Sequence, residues 1–156
     1  MFLKRLTAAL VLTAGTAAAG EISERDGWAV HHSAKPYDQL VADVKSAAKA
    51  GGLAVVTEAG PTLAAANRGI TIPGNRVIGL FNNDFAVKIL EASTAAMIEA
   101  PVRVYVTEEE DGSATLSYKR PTHVFAPYAD EGGTALMDLA ADLDARFAQV
   151  TEAALE

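Results

Sequence analysis

The chain contains no cysteine. That excludes a disulfide framework, a thiolate zinc site, a cysteine nucleophile and iron–sulfur ligation. Basic residues are in short supply, with 13 Lys+Arg against 20 Asp+Glu and a formal net charge of −7. A negative surface argues against nucleic acid and anionic headgroups as main partners. Aromatic residues make up 6% of the chain and there is one tryptophan. Past the N-terminus no run approaches the roughly 18 consecutive apolar residues of a membrane span. Neither G-x-G-x-x-G nor G-x-x-x-x-G-K-[ST] occurs, so no phosphate-cradling glycine loop is present. No serine sits in a G-x-S-x-G turn. What is there is 156 residues, half of them apolar, which is too apolar for disorder and the right length for one domain.

The first 19 residues read as an export address. Lys4 and Arg5 form a basic start, Leu6 to Ala14 a short apolar segment, and Ala17-Ala18-Ala19 a small-residue cleavage site. This is the pattern of a secretory signal peptide. The expectation is cleavage after Ala19, a periplasmic destination and a soluble mature chain with no membrane span. Residues 20–27 are polar and predict a mobile lead-in, followed by a single domain over 28–155.

Within that domain strands and helices alternate. Trp28 to His32 is a short strand candidate. Tyr37, Leu40, Val41, Val44, Ala47 and Ala48 recur at helical spacing after Pro36, and Gly51-Gly52 ends the helix. Leu53 to Val56 predicts a buried strand. A short helix follows from Gly60-Pro61 to Asn67. Arg76 to Phe81 is another apolar strand, and Asn82-Asn83-Asp84 can cap the helix after it. Val102, Val104 and Val106 alternate with Arg103, Tyr105 and Thr107, which assigns the two sets to opposite faces of a strand. An acidic turn ending Asp111-Gly112 leads into a return strand through Tyr118. Pro121 to Tyr128 predicts a loop or irregular edge. The last helix carries the apolar stripe Leu136, Leu139, Ala140, Leu143, Phe147 and Val150. The order β-α-β-α-β-α-β-β-α implies an α+β domain, a mixed sheet packed by helices.

Three ordered segments carry a family resemblance. The first is Gly51-Gly52-Leu53-Ala54-Val55-Val56-Thr57-Glu58. The second is Gly69-Ile70-Thr71-Ile72-Pro73 with Arg76 to Asn82, running into a helix that ends Leu90-Glu91-Ala92. The third is Ala100 to Val106, a glycine-containing acidic turn, and Leu116-Ser117-Tyr118 before Pro121. Together they resemble the bacterial and archaeal family known as domain of unknown function 302. The chain departs from it at Asn82-Asn83, where the family commonly has Asn followed by Pro. The resemblance implies a small α+β domain, a candidate homodimer and no established activity. It singles out Asn82, Arg103 and Tyr118 as family-pattern positions.

Candidate chemistry is sparse. Asn82 and Asn83 stand where a strand ends at a helix N-terminus, a place that favours anions and ligands. Arg103 beside Tyr105 on one sheet face can clamp a carboxylate. Tyr118 is the fifth ligand-binding candidate. His32 and His123 are the candidate metal ligands, since His31 and His32 are adjacent on a strand and face opposite ways. No cofactor is implied. The leading expectation is a non-enzymatic accessory or small-ligand-binding protein, with a small molecule, an envelope protein or a second copy as partner. The alternatives are a metal-binding protein and an envelope enzyme pairing His32 or His123 with Glu58 or Asp84 for acid–base work.

Overall fold

The structure, a computed structural model, describes residues 22–156. The predicted signal peptide lies outside the described residues. Five strands and five helices follow in chain order: β1 (Trp28–Ser33), α1 (Tyr37–Ala50), β2 (Ala54–Ala59), α2 (Thr62–Ala66), β3 (Asn75–Phe81), α3 (Asn83–Ala92), β4 (Val102–Glu108), β5 (Ala114–Lys119), α4 (Pro121–Phe125) and α5 (Ala129–Leu155). A 3-10 turn, Ala96–Glu99, precedes β4.

The strands form one sheet in the order β1-β5-β4-β3-β2. The α+β class and the order of the predicted elements stand, and the sheet is antiparallel at every pairing. The parallel component of a mixed sheet is missing because α1 carries the chain from β1 at one edge to β2 at the other, and β1 pairs with β5 running against it. Val104 lies opposite both Ile78 and Tyr118, and Tyr118 lies opposite Ala29. These four residues are buried and define the core face. Helices α1, α3 and α5 pack together over that face.

The C-terminal helix holds the layer in place. Its stripe Leu136, Ala140, Leu143, Phe147 and Val150 is buried as the spacing predicts. Leu139 is only partly buried against the core. Phe147 meets the Tyr118 ring at a centroid distance of 5.4 Å, a tilted aromatic pair that links helix to sheet. Arg146 donates to the Gly51 carbonyl at 3.3 Å and its guanidinium lies over the Phe85 ring. So α5 also ties the end of α1 to α3. The helix begins earlier than the stripe suggests, at Ala129, across a break at Gly133, whose φ of 58° suits only glycine without strain.

Two expectations are corrected. The segment 53–56 is not a buried strand. β2 is the outer edge of the sheet and mostly exposed, with Leu53 buried just ahead of it. An apolar run looks alike whether one or both of its faces are covered. Pro121 to Tyr128 is not a loop either. Its first half is α4, with Pro121 at the first turn and Phe125 buried. The cap comes from a distant residue: Asp144 accepts from the Thr122 backbone N–H at 3.0 Å and from its hydroxyl at 2.6 Å. Local sequence carries no trace of that partner. The end of the lead-in is also fixed, since the Trp28 N–H donates to the Arg25 carbonyl and the Arg120 N–H to the Gly27 carbonyl.

Leu143→Ala is expected to cost about 2–5 kcal/mol, because it deletes a buried side chain between α5 and the core. Urea denaturation followed by circular dichroism checks this. A loss under about 1 kcal/mol would mean α5 is not docked as described.

Candidate functional site

The sheet face opposite the helices is built by the alternation along β4 and β5. Arg103, Tyr105 and Thr107 point there. The ladder sets Tyr105 opposite Ser117 and Thr107 opposite Thr115. One step further along, the same register places Lys119 beside Arg103, and Lys119 in turn faces Trp28 on β1. The face is therefore a series of cross-strand rows. One row is Trp28, Lys119 and Arg103. The next is Val30, Ser117, Tyr105 and Val77.

Over these rows lies a groove of about 720 Å³. Trp28, Val77, Val124 and Tyr105 give it apolar walls, while Arg103, Lys119 and Glu99 bring charge. Ser117 is 0% exposed and its hydroxyl has no hydrogen-bond partner among the described residues. The buried Thr107 hydroxyl on the same face is also unpaired. A buried hydroxyl left without a partner costs about 1–3 kcal/mol. Burial, with the nearby Tyr37 hydroxyl as a smaller cause, pushes the Tyr105 phenol above its ordinary range, so it stays a neutral donor.

A second concavity of about 820 Å³ lies between β1 and the C-terminal half of α5. His31, Tyr118, Arg120, Asp144 and Thr151 line it. Its carboxylate is committed to the fold, since Asp144 caps α4. His31 stacks on Tyr118 at 6.4 Å. Burial, then the charges of Arg120 and His32, lower its pKa below the ordinary value.

The structure brings some predicted residues together and separates others. Arg103 and Tyr105 share the groove. Tyr118 does not place its ring there, because it stands opposite Val104 and packs on Phe147 in the core. Asn82 is a helix cap. Its side-chain oxygen accepts from the N–H groups of Asp84 (2.9 Å) and Phe85 (3.1 Å), and its amide donates to the Gly52 carbonyl (2.9 Å). Asn83 is exposed in the first turn of α3.

His32 and His123 lie at opposite ends of β1. His32 pairs with Thr115 near the strand's end, while the His123 ring packs against Gly27 before its start. Five residues of extended chain separate these points by about 16 Å, too far for one ion. Among the described residues no three His, Asp or Glu side chains converge as a metal site. Glu58, the carboxylate nominated for acid–base work, sits on the opposite sheet edge from β1 and pairs with Lys45 (2.6 Å) and Arg76 (3.5 Å). Asp84 is exposed at the start of α3.

Three participants were missed by the sequence reading: Lys119, Trp28 and Glu109. Lys119 follows from the hairpin register once the turn is counted. Glu109 accepts from the Thr115 hydroxyl. Thr115 has a single hydroxyl proton, so its oxygen accepts from His32 Nδ1–H at 2.9 Å. A carboxylate thus orients His32 through a buried threonine.

A family model described as "Domain of unknown function DUF302" matches residues 29–154. Among solved structures, an uncharacterised conserved DUF302 protein from Bacillus stearothermophilus is similar, with a TM-score of 0.73 at 17% identity. The match covers 83% of this chain and 98% of that one, and at this identity it speaks for the fold alone. Comparison with curated proteins finds no match.

Two outcomes are expected from this geometry. Ser117→Ala should raise the unliganded stability by about 1 kcal/mol, since it deletes an orphaned hydroxyl without opening a large void; a loss in the urea midpoint would mean that the hydroxyl is satisfied. His31 predicts a pH dependence. Its folded pKa is lowered, so the unfolded chain binds more protons once pH falls below the ordinary value. The stability that neutral His31 contributes is complete above about pH 6.5 and is lost as pH falls through the lowered folded value. Between about pH 7.5 and 5 the urea midpoint should fall less steeply in His31→Gln than in the parent.

Proposed function

The chain belongs to the DUF302 family, whose description names no activity, and from the open sheet face we propose that it is a non-enzymatic, exported domain that binds a small molecule in the groove over Arg103, Tyr105 and Ser117. The observation that carries this reading is the groove itself, on the one sheet face that α1, α3 and α5 leave open, with apolar walls and an Arg103 that no carboxylate among the described residues pairs. Apolar walls with a few polar groups are the usual make-up of a small-molecule site. Export rests on the signal-peptide pattern of residues 1–19 and no described helix is long and apolar enough to cross a membrane.

A second reading is favoured by two exposed apolar side chains. Leu63 is 74% and Ile98 is 79% exposed, and each lies within two residues of a groove-lining position, Pro61 and Glu99. A second copy of the chain laid on this face would cover them, making the groove a dimer interface.

Native mass spectrometry of protein purified from a periplasm without chelators separates these readings. The small-molecule reading expects a stoichiometric extra mass that disappears in Val77→Arg, a substitution that fills the groove. A bare dimer that becomes a monomer in the same variant supports the interface. A bare monomer, together with no stabilisation by a metabolite panel, overturns ligand binding.

A further inference from the structure

The groove carries a charge arrangement that the fold does not use. Lys119 and Arg103 are direct cross-strand neighbours on one face, by the register that pairs Val104 with Tyr118. Directly opposed side chains have their β-carbons about 4.5–5.5 Å apart, and like charges at that spacing are destabilising. The chain has more than enough carboxylates to neutralise them, with 20 Asp+Glu. Yet the ion pairs among the described residues are Lys35–Asp43, Lys45–Glu58 and Arg76–Glu58. Arg103 has no carboxylate within ion-pair distance among the described residues. Lys119 has the Trp28 ring, 5.9 Å from its ammonium. One acid does line the groove: Glu99, which accepts a hydrogen bond from the Tyr128 hydroxyl at 2.8 Å.

From this we infer that the groove takes a small organic monocarboxylate, its charged end between Arg103 and Lys119 and its apolar body along Trp28, Tyr105 and Val77. The inference rests on the small-molecule reading of the groove and adds the class of molecule. The lining residues Arg103, Lys119 and Glu99 sum to a single positive charge for the ligand to neutralise, with Arg25 outside the lining, over the Trp28 ring. A doubly charged phosphate monoester would meet Glu99 as a like charge. The guanidinium fork matches a carboxylate's two oxygens. Tyr105 stands in the next row on the same face and lines the groove, so its hydroxyl can bond a polar atom of the ligand. Apolar walls reward a hydrocarbon or aromatic body.

Trp28 is the only tryptophan in the chain and stands in the cationic row, so its fluorescence reports occupancy directly. The test titrates the protein at neutral pH with octanoate, the neutral octanamide, and octyl phosphate. Saturable quenching or shift by octanoate is expected, with octanamide weaker by about tenfold or more. Arg103→Gln and Lys119→Gln should each weaken octanoate by about tenfold and leave octanamide unchanged. Urea denaturation of the unliganded variants gives an independent readout. Removing either charge should raise the midpoint, because a like-charge pair is relieved; a drop would assign the two cations to the fold and overturn the inference. Equal binding of octanoate and octanamide, or tighter binding of octyl phosphate, overturns the monocarboxylate and leaves the groove reading intact. Failure of all three probes beside a retained, Val77→Arg-sensitive mass overturns the ligand class alone. Failure of all three with no retained mass removes both readings.

Discussion

The pairing of β4 with β5 decides what each face of this protein can be. Val104 opposite Tyr118 puts valine, leucine and tyrosine under the helices, and by the same step puts Arg103 beside Lys119 and Tyr105 beside Ser117 on the open side. A one-residue slip would exchange the two sets. Arg103 would then stand under α5, and the Tyr118–Phe147 contact would be lost. The hydrophobic stripe of α5 selects the observed register, because only that register offers it an apolar floor. Core packing and the composition of the groove are thus two results of one alignment.

That alignment explains where the molecule accepts unfavourable interactions. The core face holds buried side chains from all three packed helices and four of the strands. The opposite face keeps two adjacent cations and two buried hydroxyls without partners. Strain of this sort in an otherwise well-satisfied domain tends to mark the place where something else binds. The second concavity, near His31, lacks this character, since its Asp144 already bonds within the fold.

Local periodicity was enough to read much of this. The valine alternation of β4, the stripe of α5 and the Asn82 cap all depend on residues within a turn or two of each other, and each appears as the spacing predicts. What the sequence could not show depends on distant partners. α4 is capped by Asp144, 22 residues away. β2 is exposed because it falls at the sheet's edge, which its own residues do not declare. Tyr118 looked like a companion of Arg103 and Tyr105, but a strand's two faces are told apart only by register. The two candidate metal ligands are each polar, plausible residues, and only the course of β1 reveals that they stand at its opposite ends. Asn82 was singled out for ligand binding and as a cap, and its side-chain oxygen is taken up by the cap while its amide donates to Gly52.

The position of β1 has a consequence for the order of events during folding. Its only strand neighbour is β5, so the first strand of the chain must wait for the last. Residues 54–108 can pair as β2, β3 and β4 while β1 has nothing to join. Pairings of such long sequence separation close late and slow the reaction. The N-terminal end of the domain therefore stays an open chain until β5, through residue 119, is free to pair with it, and only then can the sheet be completed.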